Sequence, residues 1–306
     1  MEVDDIRRVL VLGSGTMGLQ IGLQAATHAY EVALFDASAD ALTAAPQRLR
    51  AYGDAHIADG LIDAPGLEAA LARVTLHADP AAAAADVDVV VECLPEDPQL
   101  KGKVLGQFNR LCPARAVFAT NTSILLPSWY AAATGRPDRF AALHFHNNVW
   151  SANIVDVMPH AKTAPETVEM LVAFARRIGQ IPIRMHKESS GYVFNAMYTV
   201  INHTAIALVA NGVASHEDVD RSWIGIFKMP VGPFGMLDGV GLDTVWHITE
   251  YGAKKTGDPQ VKKNAAFIRG FVDRGCLGVK SGEGFYRYPN PAYEQPGFVA
   301  GDAAGG

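Results

Sequence analysis

The chain has 306 residues and a formal charge of −6, from 26 Lys and Arg against 32 Asp and Glu. With 49% hydrophobic and 19% charged residues it can bury a sizeable core, which excludes global disorder, and its length suggests about two domains. The mildly acidic balance has no basic block, and no apolar run reaches the roughly 18 residues of a membrane span, which argues against nucleic acid or a membrane as partner.

RVLVLGSGTMG (8–18) is a short aliphatic run that ends in glycines, hence a buried strand and a tight turn. The stretch from about Met17 to Ala29 suits a helix, and EVALFD (31–36) a second strand ending in an acid. Together they read as a βαβ unit, whose parallel strands demand a crossover helix. The Ala-rich stretch from Ala37 to Leu71 predicts one or two helices. Strand-like runs follow at 87–94, 116–120, 140–145 and 154–158, then a helical pattern at 166–178 and a last apolar run at 181–185. This alternation predicts an open, doubly wound sheet. From Ser190 onward helical patterns dominate, as in YVFNAMYTVINHTAIALVANG (192–212). The expected architecture is α/β: a Rossmann-type domain over 1–188, then a smaller all-α domain over 189–306.

GSGTMG (13–18) fits GxGxxG between a strand and a helix. The first glycine permits the turn, the second lets a pyrophosphate approach the backbone, and the third lets helix and strand pack closely. Phosphates then sit on a helix N-terminus. Asp36, ending the second strand, suits the ribose hydroxyls of NAD and repels a 2′-phosphate. Ala37 and Ser38 follow it rather than an arginine, so NAD is expected over NADP. Gly13, Gly15, Thr16, Met17, Gly18 and Asp36 form the expected cofactor set.

Hydride transfer from an alcohol needs a base for the hydroxyl proton, and histidine suits. Of the 10 histidines, His144 and His146 end the run FAALHF, at the strand edge that faces ligands in open α/β sheets. Cys93, Cys112 and Cys276 lie in no metal-like spacing, and no metal is expected. They read as free thiols of a reducing compartment. The charged start MEVDDIRR resembles no signal or transit peptide, and a cytoplasmic location is expected.

The text VVECLPE (90–96), FATNTS (118–123), RFAALHFHN (139–147), GYVFNA (191–196), MPVGPFGMLDGVGLD (229–243) and KSGEGFYRY (280–288) resembles the 3-hydroxyacyl-CoA dehydrogenase family, including its relatives that act on free hydroxy acids. The resemblance implies that His144 is the base in oxidation and the acid in reduction. The carboxylate that holds it would be Asp156, where the family has glutamate. Ser123 and Asn195 would hydrogen-bond the substrate oxygen and the developing enolate-like carbonyl, Asn147 would brace the His144 region, and Glu96 and Lys101 would contact the cofactor near the nicotinamide. Read without the family, His146 competes with His144, Ser123 is a helix cap, Asn195 is a mid-helix surface residue, and Glu96 and Lys101 form a solvated helix face. A homodimer through the C-terminal helices is also implied.

Departures bear on the substrate. Asn148 replaces the family's proline, and VWSAN (149–153) replaces an aliphatic stretch bordering the acyl site. Arg48, Arg50 and Arg73 stand against Asp54, Asp59, Asp63 and Glu68, few cations for the 3′-phospho-ADP of CoA. The expected reaction interconverts a 3-hydroxyacyl-CoA and its 3-oxo form with NAD. The alternatives are a free 3-hydroxy acid (carnitine-like, with Trp150 facing a quaternary ammonium, or a sugar acid), a carrier-protein thioester, or a non-catalytic NAD-binding protein.

Overall fold

The computed structural model describes residues 3–301. Among these residues, eight strands form one sheet: β1 (Arg8–Leu12), β2 (Glu31–Phe35), β3 (Val74–His77), β4 (Val89–Glu92), β5 (Val117–Thr120), β6 (Phe140–Phe145), β7 (Ile154–Met158) and β8 (Ile181–Arg184). Their order is β3-β2-β1-β4-β5-β6-β7-β8. The chain divides into two compact units between Val193 and Phe194.

Helices α1 (Thr16–Thr27), α2 (Ala39–Ala58), α3 (Ala64–Leu71), α4 (Pro80–Ala84), α5 (Pro98–Asn109) and α6 (Pro165–Arg177) complete the first unit. Val9 to Leu12 and Val89 to Val91 are wholly buried. Helices on both faces explain why these strands read as continuous aliphatic runs instead of alternating ones. The order reverses between β1 and β4. Both strands end at that switch point, β1 in the glycine turn and β4 in Glu92, and the crevice outside such strand ends is where open α/β sheets bind ligands.

One pairing departs from the parallel pattern. β6 and β7 are antiparallel, with His144 directly opposite Asp156. The connection 146–153 is too short to carry a crossover helix, so β7 must turn back along β6. The edge strand β3, which the sequence pattern did not signal, pairs with β2.

The second unit holds α7 (Phe194–Ala210), α8 (His216–Phe227), α9 (Pro233–Val240), α10 (Leu242–Thr256) and α11 (Pro259–Val272). Phe234, Leu237, Leu242, Ile268 and Phe285 lie in its core. Two buried carboxylates tie it together. Asp220 accepts from the backbone N–H of Phe234 (2.8 Å) and Gly235 (3.0 Å) and from the Tyr286 hydroxyl (2.9 Å). Asp238 accepts from the N–H of Phe285 and Tyr286 and from the Tyr288 hydroxyl. The motifs MPVGPFGMLDG and GEGFYRY thus meet through hydrogen bonds that satisfy otherwise costly buried groups.

Candidate active site

The glycine turn separates its three glycines by role. Gly13 has φ +104°, and a Cβ there would meet the Cys93 carbonyl at 2.8 Å. A Cβ at Gly18 would come within 1.8 Å of the Gly13 carbonyl. Both are fixed by the protein's own packing. Gly15 is different: a Cβ there would meet nothing within 4 Å, and no side chain caps the N-terminus of α1 that it begins. The open space and the unpaired N–H groups of Thr16 and Met17 make a cradle that fits the pyrophosphate of a dinucleotide. Asp36 closes the other side. Its Oδ2 accepts from the Ser14 N–H (2.7 Å) and hydroxyl (2.9 Å), and its Oδ1 from the Ser38 N–H (2.9 Å), which fixes the carboxylate where ribose hydroxyls reach the end of β2. Arg48, which the sequence reading did not assign, arrives from α2 and donates to the Thr16 hydroxyl at 3.1 Å. Its signal is tertiary, because only the packing of α2 brings it to the turn.

Past β4 lies a buried charge network. Lys101 is 1% exposed; its ammonium sits 2.7 Å from Glu92, 2.9 Å from the Leu94 carbonyl and 3.5 Å from Glu96. Glu92 also accepts from the Thr120 hydroxyl (2.6 Å), which in turn accepts from the Tyr130 hydroxyl (2.9 Å). Burial pushes the Glu92 carboxyl up, against the opposing pull of Lys101 and the Thr120 hydroxyl. Lys101 is therefore the internal counter-ion of Glu92 and not part of a solvated helix face. Glu92 was legible as a strand-end residue but gave no sign of this partner. Glu96 accepts from the Thr122 hydroxyl (2.7 Å) and the Ser123 N–H (2.9 Å), with the Ser123 hydroxyl at 3.4 Å. Ser123 caps no helix; the segment turns on Thr122, whose hydroxyl accepts from the Leu125 N–H at 3.0 Å.

The third element is the hairpin of β6 and β7. His144 Nδ1 lies 3.1 Å from Asp156 Oδ2, with both side chains buried. Because the two residues face each other across an antiparallel pair, the short aspartate reaches the ring. Burial alone would raise the Asp156 carboxyl, but hydrogen bonds from His144 and His146 hold it below its ordinary value. An ionised Asp156 fixes the Nδ1–H tautomer and leaves the Nε2 lone pair for a substrate proton. His146 Nε2 lies 3.7 Å from the same Oδ2. Tyr192 packs on the His144 ring at 4.6 Å with φ +54°, holding the imidazole in place.

Asn147 lies at the end of the hairpin's first strand, where its Oδ1 accepts from Gln20 Nε2 of α1 at 2.9 Å; Gln20 Oε1 accepts from the Asn148 N–H at 2.8 Å. The family resemblance implied that Asn147 braces the His144 region; its partner here is Gln20, which the sequence did not reveal. Trp150 donates to Asp59 at 2.9 Å and packs on His56 at 4.5 Å, so its ring is spent on α2. Asn195 is the second residue of α7, half-buried in the second unit's first helical turn. A surface cavity of about 540 Å³ lined by Arg7, Arg8, Asp88 and Arg115 lies at the N-terminal strand ends, away from the glycine turn.

Comparison with known proteins identifies the family of both parts of the chain. Residues 8–189 match the family description "3-hydroxyacyl-CoA dehydrogenase, NAD binding domain", and residues 191–288 match "3-hydroxyacyl-CoA dehydrogenase, C-terminal domain". The human protein named hydroxyacyl-coenzyme A dehydrogenase, mitochondrial, is 31% identical over 92% of this chain and 91% of its own length. A (S)-3-hydroxybutyryl-CoA dehydrogenase from Ralstonia eutropha superposes with TM-score 0.81 at 30% identity, covering 94% of this chain and all of the other (100%). A diketoreductase, described as acting on dicarbonyl compounds, superposes with TM-score 0.87 at 38% identity, covering 92% and 99% of the two chains.

Proposed function

Because the chain belongs to the 3-hydroxyacyl-CoA dehydrogenase family, whose N-terminal domain binds NAD, we propose that it interconverts a 3-hydroxyacyl thioester and its 3-oxo form. The observation that carries the reading is the His144–Asp156 pair, made at 3.1 Å in register across two buried strands. NAD, when bound, accepts the C3 hydride. His144 takes the hydroxyl proton on Nε2, and Asp156 stabilises the imidazolium that results. In the reverse direction the same imidazolium returns the proton to the C3 oxygen. Ser123, oriented through Glu96, donates to that oxygen. Lys101, itself held by Glu92, holds Glu96, and with it the Ser123 turn, near the end of β4. Gly15, Thr16 and Met17 receive the pyrophosphate, Arg48 adds a cation beside them, and Asp36 takes the ribose hydroxyls.

A second reading, a free dicarbonyl or 3-hydroxy acid substrate, has specific support. Arg50 is paired with Glu68, Arg73 donates to a backbone carbonyl within its own turn, and Arg48 is turned to the glycine loop. Few cations are left there for a 3′-phospho-ADP group, and a diketoreductase is among the similar structures. The carnitine variant loses its support, since Trp150 packs against His56. An idle dyad is disfavoured by the His144–Asp156 bond.

The homodimer is our proposal too: Phe194, Met197, Val200, Ile226 and Phe227 are exposed large apolar side chains of the second unit. Light scattering tests it. The free thiols Cys93, Cys112 and Cys276 support a cytoplasmic location.

The deciding assay follows NADH at 340 nm with acetoacetyl-CoA, a free β-diketone and free 3-hydroxybutyrate. The thioester is expected to give the highest kcat/KM, with His144→Ala lowering it by about a thousandfold. A diketone preferred over the thioester selects the second reading, and a variant that keeps most of its rate removes both.

A further inference from the structure

The hairpin carries a third donor that the proton transfer does not use. His144 lies in β6 and His146 one residue past its end, their rings 4.7 Å apart, and Asp156 meets them from β7. His144 Nδ1 is 3.1 Å from Asp156 Oδ2, and His146 Nε2 is 3.7 Å from the same oxygen. All three donors lie within 4.8 Å of one another. A point equidistant from atoms spaced this way lies about 2.0–2.4 Å from each, close to the roughly 2.0–2.2 Å of a Zn–N or Zn–O bond. Two imidazoles and one carboxylate are borderline ligands that suit Zn²⁺ and its neighbours, not Ca²⁺ or Mg²⁺.

We propose that His144, His146 and Asp156 form an inhibitory site for a divalent transition-metal ion, Zn²⁺ in particular. The chemistry of inhibition follows from the tautomer. Coordination takes the Nδ1 lone pair of His144, so the ring proton moves to Nε2. The imidazole stays neutral and no proton is lost overall. Nε2 then has no lone pair for the substrate hydroxyl, and Asp156 is occupied by the metal. The sequence pattern gave no metal signal because the aspartate comes from another strand and only pairing register unites the three. Inhibition rests on His144 being the base; metal binding does not.

The test uses the EDTA-treated full chain. Calorimetric titration with Zn²⁺ is expected to show one equivalent bound with micromolar or tighter affinity. Co²⁺ in its place is expected to give tetrahedral d–d absorption without a thiolate charge-transfer band. His146→Phe and His146→Gln, each checked for native circular dichroism, are expected to weaken binding at least thirtyfold, and Cys276→Ser to leave it unchanged. Zn²⁺ is expected to stop turnover reversibly, EDTA to restore it, and the inhibition midpoint to shift with the binding constant in both His146 variants. No stoichiometric binding, or binding unaltered in both His146 variants, would overturn the site and leave the base role standing. Zinc bound at full occupancy with turnover unchanged would overturn the inhibition and the base role together.

Discussion

The two units bury carboxylates in different company. In the first, Glu92 faces the Lys101 ammonium and Asp156 faces two imidazoles. In the second, Asp220 and Asp238 are met by backbone N–H groups and tyrosine hydroxyls. The second kind of partner is a fixed neutral donor, which ties segments together. The first kind, an ammonium or an imidazole, is itself able to carry or exchange a proton. The same residue type thus has ionisable partners in one unit and neutral donors in the other.

The contrast breaks most visibly at Lys101. Lys101→Met is expected to leave Glu92 buried without its cation and to cost about 3–5 kcal/mol, read from urea unfolding. A loss near zero would mean that the pair is dispensable. Ser123→Ala is expected to lower kcat about a hundredfold with little change in NADH affinity, as for loss of one donor to a developing oxyanion. An equal fall in cofactor affinity would instead mark a disordered Glu96 turn.

In the second unit the handle is pH. Burial raises the Asp220 carboxyl to about 6, so the folded chain binds that proton more tightly than the unfolded one. Its favourable contribution is complete below about pH 4 and is lost as pH rises through about 6, on the order of 2–3 kcal/mol at most. Thermal melts of wild type and Asp220→Asn across that window check it: the variant should lose this slope. Identical slopes would remove the distinction between the two kinds of carboxylate. The smallest effect is expected at Gly15. Since Gly15→Ala meets open space, the fold should be unchanged while NADH affinity falls about tenfold, as expected where a backbone must approach phosphate. Unchanged affinity would show that the phosphates lie elsewhere.

What the sequence revealed tracks the range of the forces involved. The glycine turn and Asp36 were legible because a strand, a turn and a helix start are local. His144 was legible from its strand end, and the second unit from its helical stripes. The edge strand β3 was not, because VTLH is only four residues long and half-buried, too short for its alternation to mark a strand. The Lys101–Glu92 pair was hidden because Lys101 read as part of a solvated helix face until α5 packs it against Glu92 of β4. The antiparallel turn of β7 and the placement of Arg48, Gln20, His146 and Trp150 depend on register and helix packing, which no window of sequence contains.

The most direct measurement is single-turnover NADH formation by Asp156→Asn, with NAD and substrate saturating. If His144 is the base and Asp156 sets its tautomer, hydride transfer should slow by at least a hundredfold while NADH binds as in wild type. A rate within threefold of wild type would contradict that assignment.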